Sequence, residues 1–378
     1  MKKRRFSIGF VFGTRPEIIK LSPLIRLCVE RKIPHFLIHT GQHYSYDMDR
    51  LFFKELALPK PAYRLNVRSK APYRQGEHTG RMLIQIETIL LKELPSVLLV
   101  HGDTNSTLAG TLAASKISTT RAYTGLAIPI GHVEAGLRSY DRSMPEEINR
   151  FLSDHLSDFL FAPTQGARRI AVKEGIAPEK VFVTGNTIVD AVQAHVKIAQ
   201  ARAGGAGPAV GNPYGLVTLH RQENVDSAPR FKGILEGLGL VHRSSGLDLV
   251  FPMHPRTGAR LKRFGLRFPK GVLPMAPVGF LDFLRWESGA QLVLTDSGGV
   301  QEEACILRVP CVTLRTTTER PETVTVGANV VAGVRPRDVL KAAMKMLVKP
   351  KRWPNPFGDG RSAERIISIL KRKVDDKR

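Results

Sequence analysis

The feature that most limits the folds open to this chain is the make-up of its apolar runs. Residues 8–12, 36–40, 97–100, 128–133, 159–162 and 181–184 read as apolar throughout rather than at every second position. Strands of this kind are buried on both faces, which calls for a parallel sheet covered by helices on each side. Helical patterns fill the gaps at 16–31, 44–56, 75–93, 104–115, 145–157 and 165–174, and Pro23 is expected to kink the first. After a helix at 187–199, residues 203–213 are small, Gly- and Pro-rich, and read as a loop or linker. A second series opens at Tyr214, with strands at 215–219, 247–252, 272–275, 291–294, 309–314 and 329–331 and a helix at 339–347. The two halves share one plan, so the chain is of the α/β class with two doubly wound, Rossmann-like domains.

Size and charge narrow the function. With 378 residues there is room for two ordinary domains, and 42% hydrophobic with 24% charged residues is the balance of a soluble globular protein. No window approaches the roughly 18 uninterrupted apolar residues of a membrane helix. The start, Met1-Lys2-Lys3-Arg4-Arg5, is like the head of a secretion signal. The run at 8–12 is too short to complete one and leads into Gly13-Thr14-Arg15-Pro16, so it reads as a first strand behind a solvated basic tail. Cys28, Cys305 and Cys311 are odd in number and lack Cys-x-x-Cys spacing, which argues against zinc or a disulfide framework and suits a reducing cytoplasm. A net charge of +23 favours anionic partners. None of its densest runs, at 2–5, 256–270 and 371–373, carries the interleaved aromatic pattern of a nucleic-acid module. No specific nucleic-acid binding is therefore expected, and an anionic small substrate is the better match.

Candidate site residues concentrate between His132 and Arg150. A buried strand ends at Val133, and Ile148, Phe151, Leu152, Leu156 and Phe159 recur at helical spacing. Glu134 and Arg138 thus fall in a strand-to-helix loop, where open α/β sheets collect ligands. Pro145 suits the first helical position, and Glu146 and Glu147 the first turn, where carboxylates meet unpaired N–H groups. Capping is the simpler reading for Glu147; Glu146 is open to capping or catalysis; Glu134 has no cap to make and reads as functional. Asp103 stands at another strand end, its alternative being a helix N-cap, and Lys20 stands one turn into the first helix, its alternative being a solvated lysine. His220 closes a strand and reads as a ligand-binding group. Thr295-Asp296-Ser297-Gly298-Gly299 ends a buried strand and opens a helix whose bare N–H groups suit a pyrophosphate, the alternative being a plain turn. Neither Gly-x-x-x-x-Gly-Lys-Ser/Thr nor a Gly-x-Gly-x-x-Gly after the first strand is present, so a nicotinamide cofactor has little support.

Together with Phe12-Gly13-Thr14-Arg15-Pro16-Glu17, Val100-His101-Gly102-Asp103-Thr104 and Leu294-Thr295-Asp296-Ser297-Gly298-Gly299-Val300-Gln301-Glu302-Glu303, the 132–150 segment resembles the non-hydrolysing UDP-N-acetylglucosamine 2-epimerases. The likeness covers nearly the whole chain. Thr40-Gly41-Gln42-His43-Tyr44, Leu219-His220-Arg221-Gln222-Glu223-Asn224-Val225-Asp226 and Pro310-Cys311-Val312-Thr313-Leu314-Arg315 point to the archaeal branch.

The resemblance implies a twin-domain, GT-B type arrangement facing a central cleft, with a first domain at 1–186 completed by 359–378, a second at 187–358, and a homodimer. It implies inversion at C2 of UDP-N-acetylglucosamine to give UDP-N-acetylmannosamine, with neither metal nor redox cofactor. UDP leaves C1 first, a base removes the C2 proton to leave 2-acetamidoglucal, and UDP adds back. Residues matching the family's catalytic positions are Lys20, Asp103, Glu134, Glu146 and His220. Arg15, His220 and Arg320 match groups around the diphosphate with Ser297, Gly298 and Gly299, and Glu303 matches the ribose contact. Phe283 matches an aromatic contact to uracil, although it equally completes an apolar helix face with Phe280, Leu281 and Leu284. Val278 replaces a glutamine of some bacterial members, leaving the backbone for that contact. Two rivals stay open: an epimerase of a UDP-diacetamido-uronate, since Arg138-Ser139-Tyr140-Asp141-Arg142 resembles that branch too, and a glycosyltransferase using the same donor. Gln42, His43, Arg221 and His254 stand where a second substrate molecule acts in some bacterial relatives. Residues 119–127 read as an enlarged loop with no assigned role.

Overall fold

The structure, a computed structural model, describes residues 5–42, 46–67, 74–142, 144–202 and 212–375. Most of the basic tail, His43 and Tyr44, the Gly-rich run as far as 211 and the last three residues lie outside the described residues. The chain forms two compact units, Met1–Ala191 with Phe357–Arg378, and Val192–Pro356.

In the first unit β1 (Ile8–Phe12), α1 (Arg15–Glu30), β2 (His35–His39), α2 (Tyr46–Glu55), β3 (Tyr63–Arg64), α3 (Gln75–Glu93), β4 (Val97–His101), α4 (Asn105–Thr119), α5 (Arg121–Thr124), β5 (Ile130–Val133), α6 (Pro145–Leu156), β6 (Phe159–Ala162), α7 (Gln165–Lys173) and β7 (Val181–Val183) follow in order, and α8 (Thr187–Ala201) runs from it into the second. The seven strands form a parallel sheet ordered β3-β2-β1-β4-β5-β6-β7. Strands β1, β4, β5 and β6 are buried at every residue, which is why their sequences do not alternate. Val11, Ile38, Leu98 and Val100 pack beneath Met82, Ile86 and Leu90 of α3 and Ala109, Ala113 and Ile117 of α4.

Helix α1 runs through Pro23 without a break. A proline there cannot donate to the carbonyl four residues back, and the Ser22 hydroxyl supplies that donor instead, at 2.7 Å from the Ile19 carbonyl.

The second unit repeats the plan with β8 (Tyr214–Thr218), α9 (Gln222–Val225), α10 (Ala228–Ser245), β9 (Asp248–Pro252), α11 (Pro255–Arg263), β10 (Val272–Met275), α12 (Phe280–Gly289), β11 (Leu292–Thr295), α13 (Gly298–Leu307), β12 (Cys311–Thr313), α14 (Pro321–Thr325), β13 (Asn329–Val331) and α15 (Pro336–Leu347). Its parallel sheet is ordered β10-β9-β8-β11-β12-β13. Val217, Leu249, Phe251 and Leu294 make its core with Phe231, Ile234 and Leu238 of α10 and Val339 and Met346 of α15. The chain then returns to the first unit as α16 (Ser362–Asp375), which lies against α1. There Asp190 accepts from the backbone N–H of Ser362 at 3.2 Å and of Ala363 at 2.9 Å, satisfying two donors that open α16.

In each sheet the strand order reverses beside the first strand, between β1 and β4 and between β8 and β11. Ligands of doubly wound sheets collect outside the carboxyl ends of the strands at such points. No helix among the described residues is long and apolar enough to cross a membrane.

Candidate active site

In the first unit the loops after β1, β4 and β5 carry Arg15, Asp103 and Glu134, the sequence candidates at the strand-order reversal and beside it. Glu134 follows β5 with φ +69°, a left-handed conformation that costs a side-chain-bearing residue about 1 kcal/mol and persists only where its surroundings dictate it. Its carboxylate forms a buried ion pair with Lys20 of α1 and accepts from Asn186 Nδ2 at 3.3 Å. His101 Nε2 lies 3.7 Å from the same oxygen. Burial drives the His101 pKa down to about 3 against the pull of Glu134, so the ring is neutral. Lys20 is thus no solvated lysine.

Asp103 sits in a turn held by side chains of α6 and β5. Its carboxylate accepts from Arg150 at 2.5 Å, and its carbonyl from Asn149 Nδ2 at 2.9 Å, both on α6. One residue earlier, His132 Nε2 lies 2.8 Å from the Gly102 carbonyl while His132 Nδ1 meets Asp154 at 2.7 Å. One residue later Thr104, not Asp103, caps α4, its hydroxyl accepting from the Thr107 N–H. The capping alternative for Asp103 therefore falls to its neighbour.

Helix α6 turns its polar residues inward: Glu147, Asn149, Arg150, Ser153 and Asp154 are buried, whereas Ile148 and Phe151 are nearly half exposed. Glu147 is not spent on capping. It accepts from Ser139 N–H (2.9 Å), Tyr140 N–H (2.8 Å) and Arg150 (2.7 Å), tying the 138–142 loop to the arginine that holds Asp103. Burial raises its pKa, but those donors outweigh it and leave the carboxyl below its ordinary value. Glu146, half-buried, occupies the first turn of the same helix. Arg15 lies over the Phe52 ring, 5.7 Å from its centre.

In the second unit the equivalent reversal carries His220 after β8 and Ser297 after β11. Asp296, fully buried, accepts from the N–H groups of His220 (3.1 Å) and Arg221 (3.0 Å) and from Asn224 Nδ2 (3.2 Å), so it braces the loop that presents His220. The His220 ring remains 43% exposed, and desolvation lowers its pKa while Asp296 opposes the shift. Ser297 caps α13, its hydroxyl accepting from the Val300 N–H. A Cβ on Gly298 would meet nothing nearer than 3.7 Å, and one on Gly299 nothing nearer than 3.9 Å. The chain's own packing does not require those glycines; an anion approaching the N-terminus of α13 would.

Arg320, buried, lies beside these glycines and pairs with Glu302 at 2.5 Å. Glu303, also buried, is on the same helix. Phe283 and Val278 border an apolar cluster with Trp286, Val300 and Met275, Phe283 being half-buried. Gln42 accepts from the Ser106 N–H at 3.1 Å in the first turn of α4, and His254 caps α11, its ring 6.5 Å from that of His220. Among the described residues no group of His, Cys, Asp and Glu has the arrangement of a metal site.

A profile of the UDP-N-acetylglucosamine 2-epimerase family matches residues 26–371. The chain belongs to that family. It is 52% identical over 371 residues to the UDP-N-acetylglucosamine 2-epimerase of Methanocaldococcus jannaschii, covering 96% of this chain and 98% of the relative. It is 49% identical over 373 residues to the enzyme of that name from Methanococcus maripaludis, at 97% and 98% coverage. The crystal structure of the M. jannaschii epimerase in complex with UDP-GlcNAc and UDP superposes with a TM-score of 0.87 at 50% identity, over 98% of this chain and all of that one. The archaeal branch and the two parallel α/β domains expected from sequence are both borne out.

Glu17, His101, Asn149 and Arg150 stand inside the motifs with no role that the sequence assigns, and Asn186 and Asp154 carry no motif signal at all. Arg150, an arginine four residues beyond a candidate catalytic glutamate on one helix, was the signal available.

Proposed function

We propose that this epimerase-family enzyme interconverts UDP-N-acetylglucosamine and UDP-N-acetylmannosamine by elimination and re-addition of UDP. The observation that carries the reading is the buried Lys20–Glu134 pair, held in a strained backbone beside His101, with Asp103 on the next loop held by Arg150 and Asn149. In a family whose reaction inverts a carbon bearing a non-acidic proton, pre-positioned carboxylates are what the chemistry requires. Breaking the C1–O bond sends its electron pair to the diphosphate, where Arg15, His220 and Arg320 offset the added charge. A carboxylate, Asp103, Glu134 or Glu146, then takes the C2 proton, and the C–H electrons become the C1=C2 double bond of 2-acetamidoglucal. Return of UDP and of a proton to the opposite face completes the inversion. Ser297, Gly298 and Gly299 bind the diphosphate, Glu303 the ribose, and Phe283 with the Val278 backbone the uracil.

Epimerisation in D₂O followed by NMR tests this. Deuterium at C2 of the product is expected, with free UDP and 2-acetamidoglucal accumulating slowly. Epimerised product that keeps protium at C2 would refute the mechanism. Turnover of a UDP-diacetamido-uronate alone would reassign the substrate, and sugar transfer dependent on an acceptor would make the enzyme a glycosyltransferase.

We also propose a cytoplasmic homodimer. Ile148, Phe151 and Leu152 of α6 form an exposed apolar stripe on a helix whose polar residues face inward, and a second copy of this chain is the occupant that fits. Phe151→Asp should shift the mass in light scattering from dimer to monomer. An unshifted wild-type monomer would exclude the dimer.

A further inference from the structure

Two of the strand-end loops that carry candidate site residues are joined by one side chain, Glu17 of α1. The residue is buried, 1% exposed, and its carboxyl takes four hydrogen bonds. Oε2 accepts from the N–H groups of Gly13 (2.9 Å) and Thr14 (2.8 Å) and from the Thr14 hydroxyl (2.8 Å). Oε1 accepts from the Thr104 hydroxyl at 2.8 Å, while the Thr107 hydroxyl, 3.4 Å away, gives its single proton to the His101 carbonyl at 2.5 Å. The contact with the Thr14 N–H is half of an ordinary capping box at the start of α1. A capping box does not reach across to another loop, and the Thr104 bond does: it spans 87 residues to the position next to Asp103. Gly13 lets the same loop pack against the ends of β2 and α4, since a Cβ there would lie 1.9 Å from Thr40 Oγ1 and 2.4 Å from Ser106 Oγ.

We infer that Glu17 is a positioning residue that sets the Arg15 loop and the Asp103 turn in one fixed relation, and that its ionised form is the competent one. The inference rests on the function proposed above. Charge-assisted bonds are roughly twice as strong as neutral ones, so the anion holds its four donors where the neutral acid would not. Desolvation raises the Glu17 pKa to about 7 against all of these donors. The titratable groups on the elements around it are Arg15 and Lys20 on α1, His101 and Asp103 at the end of β4, Glu134 after β5 and Arg150 on α6. Burial is the largest cause of the shift, and the hydrogen bonds from Gly13, Thr104 and Thr14 oppose it.

The test compares kcat across pH 5.5–9 for wild type, Glu17→Gln, Thr104→Val and Thr104→Ser, beside the Kd for UDP and the melting temperature. Wild type should lose activity as pH falls through about 7. Glu17→Gln, whose amide puts donors against donors, should lower kcat at least tenfold at pH 8, flatten that acid limb and change UDP affinity less than threefold. Thr104→Val should share the loss of kcat and Thr104→Ser should rescue most of it, which keeps the inference testable if Glu17→Gln does not fold. A Glu17→Gln enzyme within twofold of wild type, with its acid limb intact, would overturn the inference. So would a lowered melting temperature with unchanged kcat, which is what capping alone predicts. A wild type that epimerises no UDP-sugar would instead overturn the function proposed above.

Discussion

Arg150→Met is the most informative single change in the first unit. Arg150 is buried and bridges two carboxylates, Asp103 at 2.5 Å and Glu147 at 2.7 Å. Removing the cation from a buried pair costs about 3–5 kcal/mol, because the partner's charge is left uncompensated. That figure falls here for two reasons: the Asp103 side chain is 30% exposed, and Glu147 keeps its donors on Ser139 and Tyr140. About 2 kcal/mol is the better expectation, which lowers the melting temperature by roughly 4–8 °C at about 2–4 °C per kcal/mol for a unit of this size. Activity should fall further than stability, by about 10²-fold in kcat, since Asp103 loses the group that aims it. Arg150→Lys should recover less than half of the stability, because a lysine offers a point charge where the site uses a two-pronged donor. The measurements are thermal melts and steady-state turnover of UDP-N-acetylglucosamine, with Asp103→Asn as the partner in a double-mutant cycle. A coupling energy below about 0.3 kcal/mol, or a kcat within twofold of wild type, would refute the reasoning.

Asp103→Asn and Glu134→Gln should each lower kcat by about 10²–10⁴-fold while leaving UDP affinity nearly unchanged, and Glu303→Ala should do the reverse; calorimetry with UDP checks this, and equal affinity losses in all three would show the sugar pocket misplaced. Gly298→Ala and Gly299→Ala should leave the melting temperature within about 2 °C yet weaken UDP binding, as the added methyl finds open space in the protein alone. Stability should depend on pH with two opposite signs. The folded-state pKa of Glu17 is raised from 4.5 to about 7, so its contribution is fully present below pH 4.5 and is lost as pH rises through 7, up to roughly 3 kcal/mol at about 1.4 kcal/mol per pH unit. Asp154 and Glu319 are held below their ordinary values, Glu319 to about 2 because Arg315, Arg221 and Arg320 together outweigh its burial, so their contribution is lost as pH falls below about 4. Denaturant melts from pH 3 to 9 should show both limbs, and only the upper one should vanish in Glu17→Gln.

Much of the fold was legible because burial on both faces writes itself as uninterrupted apolar residues, and the strand ends then located the candidate loops. Tyr63–Arg64 escaped because two residues carry no period, and Arg121–Thr124 because a single exposed turn looks like loop. The period of α6 revealed the helix but not its orientation: the apolar stripe reads as core, whereas Ile148 and Phe151 face outward and Arg150 faces in. Buried charges are where sequence reasoning runs out. Glu17, Glu147 and Arg150 look like ordinary surface or capping residues until partners 87, 8 and 47 positions away are brought against them.

The return of the chain as α16 has a bearing on how the protein is made. The second unit occupies one unbroken stretch, Val192–Pro356, whereas the first waits for Phe357–Arg378. A ribosome adding about 5–20 residues per second needs roughly 10–30 s to cross that stretch. During that interval α1 lacks its neighbour and Asp190 lacks the two N–H groups it will later accept from. The half synthesised first is therefore finished last, and nascent chains halted before residue 362 should yield a protease-resistant second unit beside a first unit that is still cleaved.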